Sequence, residues 1–183
     1  MRRLALAALC AAGPAYAQDA PVTVPTRDVD VLYHAAAGGQ AVDQRYRYRA
    51  VDQKVRVDTP TPGLYMIGDQ RARTVAMVSD GDRGVVDMKL QGGGGPGGFS
   101  PGQSFTRMGA DTVAGVACTE WQTLDTRGQP VQACFTADGV LLRARRGAAV
   151  LVQARRVIYG PLDPALFVVP PGYNHVAAPE PRR

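Results

Sequence analysis

An alternation of period two constrains this chain more than any other feature. Between Val42 and Ala50, the residues Val42, Tyr46, Tyr48 and Ala50 fall on one side, and Asp43, Arg45, Arg47 and Arg49 on the other. Successive side chains of a strand point to opposite faces, so such a run buries one face and wets the other. Val29, Val31 and Tyr33 alternate in the same way with Asp28 and Asp30. Val55 and Val57 continue the pattern up to Pro60 and Pro62. Further runs cover Leu64 to Ile67, Thr74 to Val78, Val85 to Leu90, Phe105 to Met108, Val116 to Leu124, Val131 to Thr136, Val140 to Arg145 and Ala149 to Tyr159. That makes about eleven short strands, separated by turn signals such as Asp80-Gly81-Asp82-Arg83-Gly84, Asp138-Gly139 and Arg146-Gly147. Helix is confined to one expected turn over Asp163 to Phe167, with Pro164 at a permitted first-turn position. The expectation is an all-β chain whose neighbouring strands pair as an antiparallel meander, rolled into a barrel or sandwich.

The first seventeen residues read as a cleaved export signal. Arg2 and Arg3 form the positive region, Leu4 to Ala12 the apolar one, and Ala15-Tyr16-Ala17 a cleavage site before Gln18. Nine apolar residues are too few to span a bilayer, and no later stretch comes closer, so no transmembrane segment is expected. Leu9 stands where a lipoprotein needs a small residue before Cys10, which argues against lipid anchoring. Residues 18–27 form an extended N-terminal segment, residues 28–176 one β domain, and residues 177–183 a disordered tail. Within the domain, residues 91–103 form a Gly-rich loop that reads as a linker, with a flap over a cavity as the functional alternative. Arg2 and Arg3 leave with the signal, so the net charge of +5 falls to +3 in the mature chain, and nucleic acid is not indicated as a partner.

Cys118 and Cys134 then remain in an oxidising compartment, where an even count favours a disulfide. Asp125-Thr126-Arg127-Gly128 is a turn signal between them, and folding back about Thr126 sets the two cysteines opposite each other. Closing a loop of about 15 residues stabilises by roughly 3 kcal/mol in the chain-entropy model.

Catalytic patterns are missing. His34 and His175 have no metal-ligand spacing around them, and Ser79, Ser100 and Ser104 stand in no G-x-S-x-G elbow. Asp80 and Asp82 flank a glycine, but their loop is too short for a calcium site and has no downstream bidentate glutamate. No metal, no cofactor and no enzymatic activity are expected. Two features remain. Tyr46, Tyr48, Leu64, Met66, Met77, Met88, Trp121, Phe135 and Leu142 are placed to point one way, as a core or as the wall of a hydrophobic hollow. From these, Tyr46, Tyr48, Met66, Met88, Trp121 and Phe135 are the candidate ligand-lining residues. Arg45, Arg47 and Arg49 are the candidate contacts to a membrane surface or lipid headgroup, and a solvated strand face is their plainer role.

Three segments carry a resemblance. They are Val113-Ala114-Gly115-Val116-Ala117-Cys118 with Trp121, then Cys134-Phe135-Thr136-Ala137-Asp138-Gly139-Val140-Leu141-Leu142-Arg143, then Asp163-Pro164-Ala165-Leu166-Phe167 with Val169-Pro170-Pro171-Gly172-Tyr173. In these the chain resembles a group of uncharacterised exported bacterial domains similar in fold to the lipoprotein carriers LolA and LolB. The resemblance covers roughly residues 28 to 175. It implies a strongly curved, unclosed antiparallel half-barrel of eleven strands whose concave face can hold an acyl chain. No apolar stripe of period 3.6 corresponds to the helices that lid LolA, and no catalytic residue is implied. The combined expectation is a periplasmic, non-enzymatic protein that binds a lipid or other hydrophobic ligand. The alternative is an envelope structural or protein-interaction module with a self-filled core.

Overall fold

A computed structural model describes residues 20–37, 40–89, 103–125 and 127–177. The export signal with Cys10, the Gly-rich loop up to residue 102, Thr126 and the tail beyond Ala177 lie outside the described residues. The period-two runs become strands β1 (Val29–Ala37), β2 (Gln40–Arg49), β3 (Lys54–Asp58), β4 (Leu64–Asp69), β5 (Thr74–Ser79) and β6 (Gly84–Lys89) in the first half. The second half holds β7 (Thr106–Val113), β8 (Val116–Leu124), β9 (Pro130–Phe135), β10 (Leu141–Arg146) and β11 (Ala149–Tyr159). A 3₁₀ turn follows at Pro164–Phe167, where the Asp163 side chain accepts a hydrogen bond from the Ala165 amide. Last comes β12 (Asn174–Ala177).

All strands join one sheet in the order β12-β6-β5-β4-β3-β2-β1-β11-β10-β9-β8-β7, and its two ends do not pair, which leaves an unclosed half-barrel. Two antiparallel meanders, β1–β6 and β7–β11, are fused where β1 pairs with β11. The strand count exceeds expectation by one. The twelfth strand, β12, pairs in parallel with β6, departing from the all-antiparallel pattern. Four residues carry no readable period, and this strand forms because the chain is steered there. The Asn174 amide donates to the Arg83 carbonyl (2.8 Å) and the Tyr173 hydroxyl to Asp80 (2.9 Å).

The ladders define two faces. Tyr46 and Tyr48 share theirs with Val29, Val31 and Tyr33 of β1, Val55 and Val57 of β3, and Met66 of β4. Along β1–β3 this tyrosine face is shut: Val29, Val31, Tyr33, Tyr46, Tyr48 and Val55 are at most 6% exposed. They pack with Val140, Leu142 and Ala154. No helix of more than one turn exists among the described residues to cover them. The sheet therefore curves around its own side chains, and the Tyr33 hydroxyl reaches across to donate to the Leu141 carbonyl (2.5 Å). Along β8–β10 the same face buries Trp121, Val131, Ala133, Phe135, Leu141 and Ala144. Phe105 stands edge-on to Trp121 and Phe135 at 6.4 and 6.3 Å between ring centres.

Across β4–β6 the core changes sides. Tyr65, Ile67, Val78 and Val85 are buried on the opposite, arginine face, beneath Val169 and Tyr173 of the C-terminal segment. The Arg56 guanidinium lies 3.6 Å over the Tyr65 ring and donates to the Leu166 carbonyl, so it ties that segment down.

The cysteines form the expected disulfide, with a register correction. Cys134 faces Glu120 rather than Cys118, so the hairpin is centred one residue later than folding about Thr126 would place it. Asp125 and Gln129 close the loop, and Gly128 takes φ +73° inside it, the three-residue form with a left-handed glycine. The bond spans the hairpin diagonally, with Cα atoms 5.5 Å apart.

Candidate functional site

The register turns Tyr46, Tyr48, Met66, Met88, Trp121 and Phe135 toward one face. They fall into three separate settings there. Tyr46 and Tyr48 lie inside the shut part of the tyrosine face. The Tyr46 ring meets Tyr33 edge-on at 6.1 Å, and burial raises the pKa of its phenol. Its hydroxyl is buried with no hydrogen-bond partner among the described residues. An unpaired buried hydroxyl costs about 1–3 kcal/mol.

Met66 and Met88 belong to the second setting, the open part of the same face. Met66 pairs across the sheet with Met77, Met77 with Val86, and Val75 with Met88. Met77 and Val86 are each 37% exposed, Met66 and Met88 are half-buried, and Val176 beside Val86 is 61% exposed. The result is a contiguous apolar surface on four neighbouring strands, rich in the unbranched, polarisable side chain that adapts to irregular partners.

Trp121 and Phe135 belong to the third, a cavity of about 190 Å³. Thr119, Thr136, Ala137 and the rim residue Arg107 complete its walls, and Pro21 and Val22 roof it. The roof is held by the chain that follows it. The Thr26 amide donates to the Asp138 carbonyl, Arg27 pairs with the Asp138 carboxylate (2.5 Å), and its guanidinium lies 3.6 Å over the Tyr159 ring. Gly139, at φ +90°, sits so close beneath this segment that a Cβ there would press into the Val24 carbonyl. Burial would raise the Asp138 carboxyl, but hydrogen bonds from Thr136, Arg27 and Tyr159 outweigh it and hold the pKa low.

Arg45, Arg47 and Arg49 face away from all three settings, and each is paired. Arg45 forks onto Asp30 and Arg49 meets Asp52 (2.7 Å). Arg47, expected on a wetted face, is only 8% exposed and lies between Asp58 and Asp30. Burial would raise Asp30, but Arg45 and Arg47 hold its pKa below the ordinary range. Arg143 and Arg145 likewise take up Asp111 and Glu120. Among the described residues no group of three His, Cys, Asp or Glu side chains could hold a metal, and no helix is long and apolar enough to cross a membrane.

Sequence reasoning missed Arg107, Thr119, Pro21 and Val22 of the cavity and Val86 and Val176 of the open surface. Arg107 stands directly across from Trp121 in the β7–β8 ladder, and only that register could have pointed to it.

Fold and site together define a class: an all-β, unclosed half-barrel, stapled by a disulfide, with one face shut in the middle and open toward one end. The chain matches no known protein family and no curated protein. Solved structures share the architecture. The chain is similar to an uncharacterized conserved protein from Thermus thermophilus, at 12% identity and a TM-score of 0.61, over 84% of this chain and 91% of that one. It is also similar to MucB, at 11% identity and a TM-score of 0.52, over 79% of this chain and 58% of MucB, so it spans less than two thirds of that protein. At such identities the likeness is one of fold.

Proposed function

We propose that this is an extracytoplasmic, non-enzymatic binding protein that takes a lipid or other hydrophobic ligand on the open stretch of its tyrosine face. The carrying observation is that Met66, Met77, Val86 and Met88 form one contiguous apolar stretch across β4–β6, with Met77 and Val86 exposed and Met66 and Met88 half-buried, whereas Met108, Leu124, Val150 and Ile158 are exposed on other strands. Burying that surface under an acyl chain gains about 25 cal/mol per Å² before ordering costs. The disulfide supports an oxidising compartment, as does the leader-like N-terminus. The half-barrel is what this reading retains from the LolA and LolB resemblance; their transport role is not part of it. Among the three arginines, Arg45 keeps the most exposed side chain, at 43%, so a headgroup or membrane contact would fall there, on the far face.

Native mass spectrometry of the protein recovered from its export compartment tests this. A bound species of lipid mass is expected, with stripped protein regaining oleate or phospholipid and Met77→Glu regaining less. Stripped protein that takes up neither overturns the reading.

A second reading, an envelope protein-interaction module with a self-filled core, draws on the burial of Tyr33, Tyr46 and Tyr48 to 3% exposure or less. Under it, crosslinking at Met77 captures a protein and no lipid.

A further inference from the structure

The cavity beneath Pro21 and Val22 differs chemically from the methionine surface. We propose that it is a binding site for a small organic carboxylate whose apolar body is a single ring, an arylacetate being the simplest case. Size comes first. About 190 Å³ slightly exceeds the ~150 Å³ that accommodates benzene in an apolar cavity, and falls short of the ~300 Å³ where drug-sized ligands begin. One ring and a short arm fit; a lipid chain does not. The walls come second. Trp121 and Phe135, 5% and 2% exposed, contribute aromatic carbon to a wall they share with Thr119, Thr136 and Arg107, so a ring there has an aromatic neighbour and polar groups beside it.

The rim selects the charge. Arg107 is exposed, and no ion pair holds it among the described residues. The acids nearest it in the ladder, Asp111 and Glu120, are taken by Arg143 and Arg145. The Thr136 hydroxyl is also committed, to Asp138 and to the Val140 amide. What remains is an exposed arginine with no carboxylate partner among the described residues, in the lining of a pocket it shares with Trp121 and Phe135. A guanidinium fork matches the two oxygens of a carboxylate. A neutral analogue forgoes that pairing and a cationic one is repelled.

Trp121 is the only tryptophan of the chain, so its emission reports on the site. The full chain is titrated with phenylacetate, phenethyl alcohol and phenethylamine, followed by Trp121 fluorescence and, independently, by calorimetry. Phenylacetate is expected to bind saturably, about tenfold more tightly than the alcohol, and the amine not at all. Arg107→Gln removes the preference for the acid, and Arg155→Gln, at an exposed arginine of β11, preserves it. Equal binding of acid and alcohol overturns the proposal, as does unchanged phenylacetate binding by Arg107→Gln, or no signal by either method at millimolar ligand. Oleate uptake is measured on the same samples. Uptake of oleate without phenylacetate binding defeats this site and leaves the lipid-binding reading standing, and the reverse result defeats only that reading.

Discussion

Strands β1–β3 and β4–β6 are adjacent parts of one sheet with the same connectivity, yet they bury opposite faces. In β2 charge from Asp43 to Arg49 falls on one side alone, and Tyr46 and Tyr48 on the other go inward at 3% and 1% exposure. In β4 the residues Leu64 to Ile67 are apolar on both sides, and the cover available decides which side is buried. The C-terminal segment lies over the arginine face there, so Tyr65 and Ile67 become core while Met66 stays half-buried. Curvature shuts one region and a returning strap shuts the other. Where the strap claims the far face, the near face is left open, and that is the stretch proposed to bind.

The comparison breaks most sharply on stability. Tyr48→Ala should cost about 3–5 kcal/mol in urea unfolding, because it opens a cavity where the sheet has no second layer to collapse. A loss under ~1 kcal/mol would mean that the shut region is no better packed than the open one. Removing the disulfide with Cys118→Ala and Cys134→Ala should cost about 2–4 kcal/mol, read as a lower Tm without loss of the open surface's ligand.

The third prediction concerns pH. Because Arg45 and Arg47 depress the Asp30 carboxyl in the folded state, its contribution is complete above the unfolded-state value of about 3.9 and is lost as pH falls through the lower folded-state value. Wild type should therefore lose more stability than Asp30→Asn on acidification below about pH 4, and parallel curves would remove Asp30 from the account. The smallest effect belongs to the open region. Met77→Ser should change stability by less than about 1 kcal/mol while weakening uptake of oleate, and a large destabilisation would show that Met77 is core after all.

How far the sequence was legible follows the same division. The run from Val42 to Ala50 announced β2 and the inward course of its tyrosines, because polarity differs on the two sides. Arg47 was misplaced, since alternation registers charge and cannot show that Asp30 and Asp58 neutralise it. Tyr65, Ile67, Val78 and Val85 were not separable from Leu64, Met66 and Met77 by any local pattern. The cysteine pairing was legible and its register slipped by one residue, because Gly128 lengthens the turn. Trp121 and Phe135 stood out in the sequence as apolar residues of one face, whereas Arg107 depends on a cross-strand neighbour and had no local mark.

The position of β12 also bears on how the molecule comes into being. Chains emerge from the ribosome amino end first. β2 can pair with β1 early, whereas β11 meets β1 through contacts such as Val29 with Tyr159, and β6 waits for Asn174 to Ala177. Until those last residues arrive, β1 and β6 each present an uncovered row of amides and carbonyls, and Val78 and Val85 lack their lid. Nascent forms of this protein are thus adhesive at two places, and the final dozen residues described act as the closing stitch for a meander made long before them.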